Sequence, residues 1–175
     1  EMVSLAKNYK MQTSITTNTL LYKKFAESLA GKVNLLHFSL DSPDEEEHNK
    51  IRKIDCYNSV LQSVEIAKSI GEFPDILFTV TNDTYKKLPQ MHELAAKRDL
   101  VLLVNPVFSY FGNPGLSNEA MDFIEEYIDG KLDIYINPSF LTLRRNGGNN
   151  IQNPLCKAVS RVIVISPFNE IILPC

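Results

Sequence analysis

Asn34-Leu35-Leu36-His37-Phe38-Ser39-Leu40-Asp41-Ser42-Pro43 is the stretch that decides the fold. It reads as a β-strand that delivers a serine and an aspartate to its C-terminal end. Strand side chains alternate faces, so His37, Ser39 and Asp41 share one side and Leu36, Phe38 and Leu40 the other. In an α/β protein the apolar side lies under helices, which leaves the polar side for a ligand. An acidic turn and Ile51-Arg52 follow. Upstream, Ile15-Thr16-Thr17-Asn18 is a second strand ending in polar residues.

Working outward, residues 1–10 carry apolar side chains at helical spacing, and the β-branched run over 12–17 reads as a strand. A helix over 21–30 ends at Gly31, a residue suited to a C-cap. The strand over 33–41 comes next, then a helix over 58–70 closed by Gly71. A strand over 76–81, a helix over 89–98 opened by proline and an apolar strand over 100–104 continue the series. Ser117 caps a further helix, and 132–136 is strand-like. Strand alternates with helix throughout, which predicts parallel pairing through right-handed crossovers, in a barrel or an open sheet. Gly147-Gly148-Asn149-Asn150 marks a linker. Beyond it, the runs 161–166 and 170–173 flank Pro167-Phe168-Asn169 as a β-hairpin.

The 175 residues suffice for one packed domain with a small appendage. A net charge of −3 argues against a nucleic-acid backbone as partner. No apolar run reaches the roughly 20 residues a bilayer span needs, so a membrane role is not expected. The 3 cysteines, Cys56, Cys156 and Cys175, are too few and scattered for a disulfide framework, which favours a reducing cytoplasm. Glu1 opens inside a helix-like pattern, as a fragment would.

Four successive strands end in polar groups: Thr16-Thr17-Asn18, Ser39 with Asp41, Thr79 with Thr81-Asn82, and Asn105. In a parallel sheet or barrel these ends fall on one rim, where ligands bind. Helix capping is the alternative for Asp41 and Ser42, which precede Pro43 and an acidic run. A surface ion pair with Glu45–Glu47 or Asp55 is the alternative for Arg52. Asn82 and Asn105 could equally be turn residues. Neither a histidine zinc motif, nor a phosphate-binding glycine loop, nor a nucleophile elbow is present.

Taken in order, Thr16-Thr17-Asn18, Ser39-Leu40-Asp41 and Ile51-Arg52 resemble the "TTNG", "SLD" and "iRg" signatures of the radical S-adenosylmethionine superfamily. The nearest branch is the one with molybdenum-cofactor biosynthesis protein A and the anaerobic sulfatase maturases. The resemblance implies a fragment of a (βα)6 partial TIM barrel over residues 1–145, from the third strand onward. It implies an iron–sulfur oxidoreductase that reductively cleaves S-adenosylmethionine to a 5′-deoxyadenosyl radical for hydrogen abstraction. Thr17, Asn18, Ser39, Asp41, Thr81 and Asn105 would line the cofactor's polar end, and Arg52 would pair with its carboxylate. A reductant protein and a small-molecule or peptide substrate would be the partners.

The resemblance has gaps. Thr19 and Lys53 stand where the family carries glycines. The CxxxCxxC loop for the 4Fe–4S cluster and the GGE motif belong upstream of these motifs, so the fragment is expected to be inactive as it stands. Residues 146–175 resemble the linker and start of a SPASM or twitch extension, a small C-terminal β-hairpin appendage in which Cys156 and Cys175 would ligate an auxiliary Fe–S cluster. Two isolated thiols are the alternative there, and Cys56 reads as a buried small hydrophobe. Loss of the upstream strands would leave residues 12–17 an open edge, to be covered by the first helix or by self-association. A non-catalytic α/β ligand-binding or scaffold domain is the competing function.

Overall fold

The computed structural model describes residues 1–107, 114–146 and 161–172, in two compact units divided between Asn137 and Pro138. The first unit runs α1 (Met2–Asn8), β1 (Ser14–Thr17), α2 (Tyr22–Leu29), β2 (Leu35–Ser39), α3 (Glu45–Arg52), α4 (Tyr57–Ser69), β3 (Asp75–Val80), α5 (Leu88–Ala96), β4 (Leu102–Pro106), α6 (Asn118–Ile128) and β5 (Ile134–Ile136). Its five strands form one parallel sheet in the order β1-β2-β3-β4-β5. This order never reverses. With right-handed crossovers the helices that connect successive strands fall on the same face, which is how a barrel is wound and an open doubly wound sheet is not.

Burial follows the alternation in sequence. Leu36, Phe38 and Leu40 on β2 and just beyond it, Ile76, Phe78 and Val80 on β3, and Leu102 and Val104 on β4 are buried. From the helices Val60, Val64, Ala67, Met91, Ala95, Met121 and Ile124 are buried with them. Each large side chain contributes about 1.5–3 kcal/mol by leaving water. The opposite, inner face carries His37, Ser39, Asp75, Leu77, Thr79, Leu103, Asn105 and Tyr135, because residues in register on parallel strands share a face.

Helix ends explain two local details. Asp44 is the N-cap of α3, its carboxylate accepting the Glu47 N–H at 2.9 Å. The capping alternative for Asp41 and Ser42 therefore gives way to Asp44. Lys53 ends α3 in the left-handed conformation (φ 56°), and Thr19 turns the chain after β1 with φ 67°. Both positions where the sequence resemblance expects glycine thus have backbones that glycine adopts without cost.

At the other boundary of the sheet, β1 pairs only with β2 among the described residues. α1 buries none of its side chains, and Lys7 ties it to the Gly31 carbonyl. Met2, Leu5, Ala6, Tyr9 and Met11 line an open apolar groove there.

The second unit contains α7 (Pro138–Arg145) and an antiparallel hairpin of β6 (Val164–Ile165) and β7 (Ile171–Ile172). At the turn the strands stop at Ile165 and resume at Ile171, because the turn draws in Ser166. The Ser166 hydroxyl accepts from the N–H groups of Phe168 (3.2 Å) and Glu170 (3.1 Å), and Asn169 takes the left-handed position at φ 63°. The glycine linker at 147–150, Cys156 and Cys175 lie outside the described residues.

Candidate functional site

The C-terminal ends of β2, β3 and β4 set polar side chains side by side on the inner face. Thr79 and Asn105 are direct partners in the β3–β4 register. Ser39 is level with Leu77, so Asp41, two residues on, is level with Thr79. The Thr79 N–H donates to Asp41 Oδ1 at 3.4 Å, which confirms the alignment. Ser39 is buried, Thr79 and Asn105 half-buried. Among the described residues none of these three side chains has a hydrogen-bond partner. Polar groups at the mouth of a fold without protein partners are available to a ligand.

Beside this row the loop from Asp41 to Tyr57 is densely bonded. Arg52 Nε lies 2.5 Å from Asp41 Oδ2, although its N–H is not aimed along the contact, so charge and proximity hold the pair. The Arg52 terminal nitrogens have no partner among the described residues. The alternative for Arg52, a surface ion pair with Glu45–Glu47 or Asp55, does not form among the described residues, and Arg52 pairs with Asp41 instead. His48 is fully buried. It accepts the Asp41 N–H at Nδ1 (3.1 Å), and its Nε2 meets Cys56 Sγ at 3.2 Å. Burial pushes the His48 imidazole below its ordinary pKa, Asp41 opposing this and Arg52 adding to it. Burial likewise pushes the Cys56 thiol up. Cys56 is buried as expected, yet as a hydrogen-bonded member of this cluster.

The remaining expected residues are placed differently. Thr17 pairs with Phe38, which puts it in the helix-facing row, and its hydroxyl accepts the Thr19 N–H at 3.0 Å. Thr16 is the β1 residue in the inner row, opposite His37. Asn18 accepts weakly from the Leu20 N–H at 3.4 Å. Thr81 is engaged in its own turn, its hydroxyl 3.1 Å from that of Thr84 and accepting the Asp83 N–H at 3.2 Å. Asn82 holds the loop before α6 through the Gly115 carbonyl (3.0 Å) and the Ser117 N–H (2.8 Å). One layer deeper His37 Nδ1 contacts Asp75 Oδ2 at 3.2 Å across the β2–β3 pair. Sequence reading missed His48; its signal was a histidine four residues before Arg52, hence on the same helical face.

Among the described residues no three His, Cys, Asp or Glu side chains are placed to hold a metal ion, and no helix is long and apolar enough to cross a membrane. The donor set of hydroxyls, a carboxamide and a guanidinium fits a polar organic ligand bearing a carboxylate.

No family model matches the chain. An uncharacterized protein of Archaeoglobus fulgidus is 30% identical over 108 residues, covering 61% of this chain and 26% of that protein. Among solved structures, Streptococcus suis SuiB bound to S-adenosylmethionine superposes with a TM-score of 0.59 at 14% identity, over 78% of this chain and 35% of SuiB. SuiB bound to its precursor peptide SuiA gives 0.68, over 99% and 44%. A domain of pyruvate-formate lyase-activating enzyme from Bacteroides vulgatus gives 0.60 at 15% identity, over 78% and 87%. anSMEcpe with bound AdoMet gives 0.56 at 22% identity, over 76% and 42%. These likenesses show the fold, a partial (βα) TIM barrel with a separate small hairpin. The chain spans less than half the length of SuiB and of anSMEcpe.

Proposed function

We propose that this chain belongs to the radical S-adenosylmethionine superfamily, in the branch with the sulfatase maturases, and that its rim holds the polar end of S-adenosylmethionine. The observation that carries the proposal is the inner-face row of Ser39, Thr79 and Asn105, whose side chains, like the terminal nitrogens of Arg52 beside them, have no partner among the described residues. A guanidinium already fixed at Nε offers its remaining edge to a carboxylate, and the hydroxyls and carboxamide serve amino and ribose groups. SuiB and anSMEcpe, which share the fold, were each crystallised with this cofactor. In the superfamily bound S-adenosylmethionine supplies hydrogen-atom abstraction from unactivated carbon.

An iron–sulfur cluster fits the described residues poorly, because Cys56 is buried and engaged with His48. In this reading the cluster ligands come from beyond the described residues, and Cys156 and Cys175 serve an auxiliary cluster. The substrate is a peptide, a choice supported by SuiB bound to its precursor peptide. A reductant protein and a cytoplasmic setting complete the reading.

Calorimetric titration of the intact protein with S-adenosylmethionine tests it. Ser39→Ala should weaken binding about tenfold, the cost of one hydrogen bond to a charged ligand group. Absence of saturable binding by the wild type overturns the proposal. Binding with no 5′-deoxyadenosine formed under anaerobic reducing conditions favours the competing reading of a non-catalytic binding domain. That reading draws on the lack of a cysteine trio among the described residues.

A further inference from the structure

Among the described residues the His48 side chain hydrogen-bonds neither to the row Ser39, Thr79 and Asn105 nor to Arg52, yet its imidazole, like the neighbouring Ser42, has no exposed surface. Its surroundings explain why. β2 ends at Ser39, and the last ladder bond beyond it runs from the Leu40 N–H to the Leu77 carbonyl. The next N–H, that of Asp41, has no strand acceptor, and His48 Nδ1 takes it at 3.1 Å. The imidazole therefore satisfies an N–H left without a strand partner where the chain leaves the sheet.

That bond also fixes the tautomer. A nitrogen accepting a backbone N–H carries no proton, so in the neutral ring the proton sits on Nε2. Nε2–H then donates to Cys56 Sγ, 3.2 Å away, and the Tyr57 ring closes the pocket edge-on with a centroid distance of 5.9 Å. Asn49 accepts the N–H groups of both Cys56 and Tyr57 at 2.9 Å, so the far wall is fixed as well. The charged groups facing the ring are Asp41 and Arg52, of opposite sign.

His48 and Arg52 stand four residues apart on α3, on one helical face. The helix thus grips Asp41 twice. His48 holds its main chain, and Arg52 pairs with its carboxylate. Asp41 is in turn held to β3 through the Thr79 N–H. We propose that His48 is a positioning residue for ligand binding: by holding the Asp41 main chain it sets the Asp41–Arg52 pair and thereby aims the free edge of Arg52 at a ligand carboxylate. The inference rests on the S-adenosylmethionine reading above and adds the residue on which the carboxylate contact depends. Desolvation of the ring favours the same neutral form that the geometry requires.

The test compares two ligands on the intact protein: S-adenosylmethionine, and 5′-methylthioadenosine, which keeps the nucleoside and lacks the amino-acid carboxylate. His48→Leu retains bulk and removes the acceptor. It should weaken S-adenosylmethionine about tenfold and leave 5′-methylthioadenosine within about twofold. In an Arg52→Ala background His48→Leu should add nothing, because residues acting through one contact are non-additive. His48→Asn, whose carboxamide oxygen can occupy the Nδ1 position, should recover most of the loss. Equal weakening of both ligands, or full additivity with Arg52→Ala, overturns the proposal while leaving the cofactor reading intact. A wild type that binds neither ligand overturns both.

If His48→Leu does not fold, nitrogen NMR of the wild-type imidazole decides. A proton on Nε2, retained through the physiological pH range, supports the proposal, and a proton on Nδ1 overturns it.

Discussion

Two neighbouring regions of the barrel rim use the same kinds of side chain in opposite ways. In the loop from Asp41 to Tyr57 the polar side chains that bound the pocket have partners within the chain: Asp41 with Arg52 and Thr79, His48 with Asp41 and Cys56, and Asn49 with Asp55, Cys56 and Tyr57. On the adjoining inner face Ser39, Thr79 and Asn105 leave their side chains unpartnered among the described residues. A buried polar group costs free energy until it is satisfied, so the loop is the part of the rim that stabilises the fold. Among the described residues the strand ends have no such partners, which leaves them available to a ligand. Substitutions in the first region should therefore register in stability, and those in the second in affinity.

The contrast is broken most directly at Asp41. Asp41→Ala removes a buried carboxylate, the partner of half-buried Arg52 and the acceptor of the Thr79 N–H, and should lower the unfolding free energy by about 3 kcal/mol. Urea denaturation measures it; a loss under about 1 kcal/mol would mean the loop is held by something else.

Acid titration probes the same region through His48. Its folded-state pKa lies below the unfolded value, so the unfolded chain binds the proton first. The contribution is fully present above about pH 6.5 and is lost as pH falls toward the depressed folded value, at up to about 1.4 kcal/mol per pH unit. Asp41, Arg52 and Cys56 surround the ring and modulate that slope. Denaturation midpoints between pH 7 and 5 should fall less steeply in His48→Asn than in the wild type, and parallel curves would assign the acid sensitivity to other groups.

Lys53 sharpens the comparison from outside the network. It is exposed and left-handed, so Lys53→Gly should raise stability by about 1 kcal/mol in thermal melts. Thr19 has the same backbone but is buried and bonded to Ser59 at 3.3 Å, so Thr19→Gly should gain less.

The smallest stability effect belongs to the strand ends. Ser39→Ala should leave the unfolding free energy within about 0.5 kcal/mol of wild type, because its hydroxyl has no partner to lose among the described residues. A larger loss would place Ser39 with the loop.

Much of this division was legible in the sequence, and its limits are physical. The alternation through Leu36, His37, Phe38, Ser39 and Leu40 gave the two faces of β2 directly, because a pleated strand with one buried side must alternate. The sequential βα order gave a parallel sheet and left barrel and open sheet both standing. On β1 the phase could not be read, since Thr16 and Thr17 are chemically alike and only pairing with His37 and Phe38 decides which faces inward. On β3, Thr79 and Thr81 share a parity, and what separates them is the turn that engages Thr81 with Thr84. Arg52 was picked out through its family resemblance, but its pairing with Asp41 depends on how α3 folds back, which local propensity does not encode.

The unreversed strand order also bears on how the chain assembles. Among the described residues each strand of the sheet pairs only with those before and after it in sequence, so contacts are short-range by the standard of parallel sheets, and formation can proceed one βα unit at a time. The rim is different, because Asp41, Thr79 and Asn105 come from three consecutive units and Arg52 must fold back onto the first of them. The row of Ser39, Thr79 and Asn105 is complete only after β4 has docked on β3. Folding intermediates that already protect the Phe38 amide can therefore lack the ligand site altogether, and a ligand added during refolding would act on the last step alone.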